Sequence, residues 1–155
     1  MNYTIYPSLL GDIAIAGTDK GLCFVDFQTS KRPLLIAEDW TRTDAPFKAA
    51  IKTLDNYFAG KKPEFKLAYD LRGTPFQLLV WEFLQTIPCG KTLTYSQVAE
   101  GIGKPAAVRA VGTAIGRNPI TLFIPCHRVI GSNGALTGYA GGLELKAALL
   151  KIELP

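Results

Sequence analysis

Hydrophobic positions fall in short runs at the start of the chain. Gly11-Asp12-Ile13-Ala14-Ile15-Ala16 and Leu22-Cys23-Phe24-Val25-Asp26-Phe27 flank Thr18-Asp19-Lys20-Gly21, a segment suited to a tight turn. The pair predicts a β-hairpin. From Pro46 to Ala59 the period lengthens: Phe47, Ile51, Leu54 and Phe58 fall near helical spacing, and Gly60 stops the run. Residues 62–69 read as an extended return. The first 70 residues thus follow the order strand, hairpin, helix, strand.

Leu71-Arg72-Gly73-Thr74 reads as a hinge, and from Pro75 the pattern turns helical. Phe76, Leu79, Val80, Phe83 and Leu84 share one predicted face, and Pro88-Cys89-Gly90 closes the segment. Thr94-Tyr95-Ser96-Gln97 fits a capping box with Thr94 as N-cap. A short helix follows to Glu100, Gly101-Ile102-Gly103 breaks it, and Lys104-Pro105 is read as opening a second helix with a buried stripe of Val108, Val111 and Ile115. Helix, glycine turn, helix is the layout of a helix-turn-helix. The other face of that second helix carries Ala106, Ala107, Ala110 and Gly112 around a single large polar residue, Arg109. Small residues let a helix lie close to another surface, from which the arginine either reaches out as a finger or is simply solvated. A last helix is predicted from about Leu143 to Leu154, with Lys146, Leu150 and Glu153 along one side.

Composition narrows the class. Of 155 residues 48% are hydrophobic, enough for a core in one domain or two small ones. No run is long and apolar enough for a membrane helix, and the N-terminus lacks the basic start and cleavage site of a signal peptide, so a cytoplasmic protein is expected. Cys23, Cys89 and Cys126 are an odd, scattered set, which argues against a disulfide framework. With a single histidine and no paired cysteines, no metal site is expected. Cys23 and Cys89 read as packed, structural thiols. Charge is unevenly placed. Residues 1–70 carry nine Lys/Arg against nine Asp/Glu, whereas residues 71–155 carry eight against four, so the whole net charge of +4 lies in the second segment. A basic surface there suggests a polyanionic partner.

That segment also holds the lone histidine, in Ile124-Pro125-Cys126-His127-Arg128-Val129-Ile130. A thiol is a weak nucleophile until a base takes its proton, and imidazole is the usual base. Adjacent side chains on an extended segment point to opposite faces, so either the backbone turns sharply here or a water bridges the two groups. Upstream, Asn118-Pro119 is a turn signal, and an asparagine there can tie down the backbone that follows. Downstream, Gly138-Tyr139-Ala140-Gly141-Gly142 can approach a ligand closely. Glu153 ends its predicted helix where the dipole disfavours an anion, so it is either a solvated terminal residue or has a partner elsewhere.

The string around Cys126, with Arg109-Ala110-Val111-Gly112 before it and Gly138-Tyr139-Ala140-Gly141-Gly142 after it, resembles the O6-alkylguanine-DNA alkyltransferase family. Leu71-Arg72-Gly73-Thr74-Pro75-Phe76-Gln77 and Ile87-Pro88-Cys89-Gly90 belong to the same resemblance, which covers about residues 71–154 with specific motifs. The resemblance implies an α/β N-terminal domain over residues 1–70, a ribonuclease-H-like small sheet plus helix. A mainly α C-terminal domain with a helix-turn-helix follows over residues 71–155. It implies that Cys126 accepts an alkyl group from O6-methylguanine in double-stranded DNA, with O4-methylthymine as a lesser substrate. His127 would take the thiol proton through a water, with Glu153 orienting His127 and Asn118 bracing the loop. Tyr95 would contact the flipped base and Arg109 would fill the gap it leaves, with Ala106, Ala107, Ala110, Thr94, Ser96 and Arg128 on the DNA face. Tyr139, Ala140 and Val129 would line the substrate pocket. Ala140 stands where family members often have serine. No cofactor is implied, since damaged DNA is itself the alkyl donor, and the resemblance is read as a monomer. The product would be a thioether that nothing in the chain cleaves, so each molecule would act once. Two other readings are a cysteine hydrolase, which ordinarily draws its base from a distant segment, and a DNA-damage-binding module without chemistry, against which the presence of Cys126 argues.

Overall fold

The computed structural model describes residues 1–31, 33–139 and 142–154. The predicted hairpin forms from β2 (Gly11–Thr18) and β3 (Gly21–Phe27), and β1 (Asn2–Ser8) pairs antiparallel with β2. A two-residue strand β4 (Thr41–Arg42), not apparent in the sequence, joins β1 in parallel, giving the order β3-β2-β1-β4. β2 is central and buried from Ile13 to Gly17. That accounts for its unbroken apolar run where an edge strand would alternate.

The extended return over 62–69 makes only one bridge, between Leu22 and Tyr69. Leu22 N–H donates to Ala68 O at 2.9 Å and Asp70 N–H to Leu22 O at 2.8 Å. Gly21 permits this approach: a Cβ there would lie 2.6 Å from the Ala68 carbonyl. Helix α1 (Lys48–Phe58) follows a 3₁₀ turn over Ala45–Phe47. Its buried face is Ala50, Leu54 and Tyr57, turned from the predicted stripe, in which Ile51 and Phe58 are only half-buried.

The second half is built from α2 (Pro75–Leu84), α3 (Tyr95–Gly101), α4 (Val108–Gly116) and α5 (Leu143–Glu153), with α4 packed on both α2 and α3. Residues β5 (Leu93–Thr94) and β6 (Val129–Ile130) pair in parallel. The capping box at Thr94 forms as read: Thr94 Oγ1 accepts from Gln97 N–H at 3.1 Å, and Gln97 Oε1 from Thr94 N–H at 2.8 Å. An unforeseen twin caps α2 through Thr74 and Gln77.

Two expectations are corrected. The buried face of α2 is Val80, Trp81 and Leu84, while Leu79 is exposed. The decisive residue is Trp81, whose Nε1–H donates to Ala114 O at 2.8 Å and locks α2 to α4. The second helix of the pair begins at Val108, not at Pro105. Gly103, at φ +76°, ends α3 in a Schellman arrangement, with Lys104 N–H on Ala99 O and Gly103 N–H on Glu100 O. A further turn from Lys104 to Ala107 then interposes before α4, so Ala106 and Ala107 precede the helix.

Trp81→Phe keeps the apolar body but leaves the Ala114 carbonyl without its indole partner. It is expected to cost about 1–3 kcal/mol in urea unfolding, against about 1 kcal/mol for Thr74→Ala at the exposed cap. Equal small effects would mean that the indole bond does not hold α2 on α4.

Candidate active site

Cys126 lies where a tightly wound loop meets a 3₁₀ turn. Asn118 organises the loop from both ends of its side chain: Oδ1 accepts from Ile120 N–H at 2.9 Å and Nδ2 donates to Ile124 O at 2.8 Å. Leu122 takes a positive φ of 78°, which a branched residue adopts only when its surroundings compel it. Here Leu122 is fully buried. The β3 edge clamps the loop from outside, Val25 N–H donating to Pro119 O and Thr121 N–H to Val25 O, each at 2.9 Å. Residues Cys126–Arg128 then form a single 3₁₀ turn. The backbone thus turns sharply between Cys126 and His127, yet no direct hydrogen bond joins their two side chains among the described residues.

All three residues of that turn are buried. Glu153, at the end of α5, is buried with them and closes the site from behind. His127 Nε2 bonds Glu153 Oε2, Arg128 Nε donates to Glu153 Oε1 at 2.6 Å, and Tyr57 OH donates to Glu153 Oε2 at 2.6 Å. Burial pushes the Glu153 carboxyl up, but His127, Arg128 and Tyr57 outweigh it and hold its pKa at about 2. Burial pushes the His127 pKa down, so a neutral imidazole with its proton on Nε2 faces the carboxylate. Its Nδ1 is buried and has no hydrogen-bond partner among the described residues. The ring therefore presents a free lone pair in the sharp turn it shares with Cys126.

The Cys126 thiol is pushed up by burial, while the Asn118 amide and the Lys146 ammonium pull it down. It is 6% exposed, so it is not open to a bulky substrate as it stands. Tyr139 is also buried, and its hydroxyl has no hydrogen-bond partner among the described residues. Burial first, and the charge a Cys126 thiolate would carry second, raise that phenol well above its ordinary pKa. Val129 is fully buried on β6. Ala140 lies outside the described residues.

On the outer side, Ser96, Ala106, Arg109 and Ala110 are exposed, and Thr94, Tyr95 and Ala107 are half-buried. Ala106, Ala107, Arg109 and Ala110 line an open groove whose other wall is Phe76 and Gln77 of α2. Tyr95 packs close to Gly112 and Gly138, and its hydroxyl donates to Thr137 O at 3.1 Å. Arg128, expected on the DNA face, is a correction. It is 4% exposed, donates to Ile87 O at 2.6 Å as well as to Glu153, and lies over the Phe65 ring. Its guanidinium is occupied inside the protein and is not available to a phosphate.

Sequence reasoning missed Tyr57 and Lys146. Tyr57 stands three residues after Leu54, one place off the predicted stripe. Lys146 was visible as a cation on the same side of α5 as Leu150 and Glu153, and it is fully buried. Among the described residues, no group of three or more His, Cys, Asp or Glu side chains is arranged to hold a metal ion, and no helix is long and apolar enough to cross a membrane.

Glu153 holds stability that acid should remove. Its folded pKa of about 2 lies below its ordinary 4.5, so its contribution is complete above pH 4.5 and is lost as pH falls from there through about 2. His127, whose folded pKa is also depressed, adds a loss that begins as pH falls below 6.5. The unfolding free energy from urea titrations should decline over this range by an amount on the order of 3 kcal/mol for the carboxylate. Glu153→Gln should lose the slope below pH 4.5, and an unchanged slope there would assign it to other carboxylates.

Comparison with known proteins gives the family. Residues 75–154 match the model of the 6-O-methylguanine DNA methyltransferase DNA-binding domain, and residues 1–71 that of its ribonuclease-like domain. The chain is 50% identical to the methylated-DNA–protein-cysteine methyltransferase of Methanosarcina barkeri, over 99% of this chain and 97% of that one. It is 44% identical to the inducible enzyme of that name from Bacillus subtilis, over 97% and 90% of the two chains. Among solved structures, Mycobacterium tuberculosis OGT in complex with DNA superposes with a TM-score of 0.91 at 43% identity, covering 99% of this chain and 92% of that one. The chain belongs to the 6-O-methylguanine DNA methyltransferase family, with an N-terminal ribonuclease-like domain and a C-terminal DNA-binding domain.

Proposed function

We propose that the protein repairs DNA by direct reversal, moving the alkyl group of O6-methylguanine onto Cys126. The observation that carries this reading is the buried pair of His127 and Glu153 beside a buried thiol: the carboxylate fixes the Nε2–H tautomer and leaves Nδ1 as the base. Cys126 Sγ loses its proton to His127 Nδ1, through a water, as the sulfur attacks the methyl carbon. The S–C bond forms, the C–O6 bond breaks, and its electron pair passes to guanine, which takes up a proton. Tyr95 favours that protonation with its hydroxyl. Burial keeps the resting thiol protonated, so its nucleophilicity develops only with the base in place.

A base within the duplex cannot reach a thiol that is 6% exposed. The reaction therefore needs the nucleotide flipped out of the stack, and a damaged pair opens at lower cost. In this reading α3 and α4 act as a helix-turn-helix, with Ser96, Ala106, Ala107 and Ala110 close to the backbone and Arg109 filling the space left by the base. Tyr139, Ala140 and Val129 surround the flipped base, and O4-methylthymine is a lesser substrate. The two domains divide at residues 70 and 71. The product thioether is stable, so the protein works once, without a cofactor, as a monomer. Three free cysteines and a DNA substrate support a cytoplasmic setting for this work.

Incubation with duplex DNA containing O6-methylguanine should add one methyl group to the peptide carrying Cys126, saturating at one per protein molecule in a peptide mass spectrum. Continued turnover, or an unmodified Cys126, overturns the reading. Arg109→Ala should slow transfer from duplex DNA by about tenfold or more while leaving transfer from free O6-methylguanine within about twofold, since only the duplex has a stack to fill. Equal losses in both assays would remove the finger role.

A further inference from the structure

The mechanism above leaves one buried charge unused. Lys146 is fully buried near the start of α5, and its one side-chain hydrogen bond among the described residues runs from Nζ to Thr137 O at 2.8 Å. A buried ammonium is costly to keep and needs a reason. The same Thr137 carbonyl accepts from Tyr95 OH at 3.1 Å. One acceptor thus serves two donors: a cation from α5 and the phenol that the proposed reaction directs at the substrate base. Gly138 supplies the positive φ of 56° that the loop adopts here, and a Cβ on it would be in ordinary contact with the Tyr95 hydroxyl. Tyr139, the next residue, lies against the thiol.

We infer that Lys146 is a positioning residue that frees Tyr95 for the substrate by keeping the Thr137 carbonyl satisfied when the phenol leaves it. A carbonyl oxygen has two lone pairs, and two donors sharing it each bind more weakly than one alone. When the flipped base enters and water is displaced, Tyr95 OH turns from Thr137 O to the base. With Lys146 in place the carbonyl keeps one strong, charge-assisted partner. Without it, the departing phenol leaves a desolvated acceptor, and the loop over residues 137–139 loses its tie to α5 at the same moment. Lys146 acts through Tyr95 and touches no reacting atom.

The inference rests on the alkyl-transfer reading, and a double-mutant cycle separates the two. Single-turnover methyl transfer from an O6-methylguanine duplex is measured over a range of DNA concentrations for wild type, Lys146→Met, Tyr95→Phe and the pair. If wild type transfers no methyl group, the alkyl-transfer reading fails. If it transfers, Lys146→Met is expected to lower the maximal rate by about tenfold with half-saturation within about twofold. Tyr95→Phe should also lower the maximal rate, and the double variant should be no slower than Tyr95→Phe alone, because no phenol remains to be released. Lys146→Arg, which keeps donor and charge, should return to within about threefold of wild type. Multiplicative losses in the double variant, or a wild-type rate in Lys146→Met, would overturn the inference. Thermal melts accompany each variant, and if Lys146→Met does not melt cooperatively the cycle is run with Lys146→Gln.

Discussion

Everything in the second half of this protein converges on one buried carboxylate. Glu153 sits in the last turn of α5, where the helix dipole opposes it, yet it stays ionised because three side chains from two elements reach it. Tyr57 comes from α1, His127 and Arg128 from the 3₁₀ turn, and Arg128 extends the connection to the Ile87 carbonyl after α2. A buried charge without such partners would be neutralised or would unfold its surroundings. The same bonds that solve this problem orient the imidazole, so the cost of burial and the chemistry of the site are met by one arrangement. They also tie the C-terminal helix to the N-terminal domain.

The second constraint is the loop that carries the thiol. Asn118 spans it, Leu122 accepts an unfavourable backbone conformation inside it, and the edge of β3 holds it from outside. The loop is therefore rigid on the protein side. The opposite wall is held at Thr137 by two side-chain hydrogen bonds to one carbonyl. This contrast suits a site that must keep a thiol in place yet admit a base.

Much of this was legible in the chain. The hairpin, the helix after Pro46, the capping box at Thr94 and the final helix all followed from period and local residue chemistry, because each depends on neighbours in sequence. The Cys126-His127 string and Asn118 pointed to the site for the same reason. What escaped depends on contacts across the fold. Trp81 took the buried face of α2 because its indole finds a carbonyl on α4, which no period reveals. The start of α4 shifted because Gly103 and Lys104 close the preceding helix before a new one can begin. The family resemblance put Arg128 on the DNA face, and only the folded chain shows that Glu153, Ile87 and Phe65 already occupy it. Glu153 broke a local rule, and that misfit was the most informative signal the sequence carried.

The seam between β3 and the active loop consists of main-chain hydrogen bonds, Val25 N–H to Pro119 O and Thr121 N–H to Val25 O. Peptide groups are the same whatever side chains they bear, so this brace does not specify which residues stand at its two edges. Substitutions along β3 that preserve the strand leave the support of the thiol loop intact. The seam itself can thus persist through changes of side chain on β3 that keep its buried face, whereas the side-chain bonds around Glu153, that of Tyr57 included, leave their residues little freedom to vary.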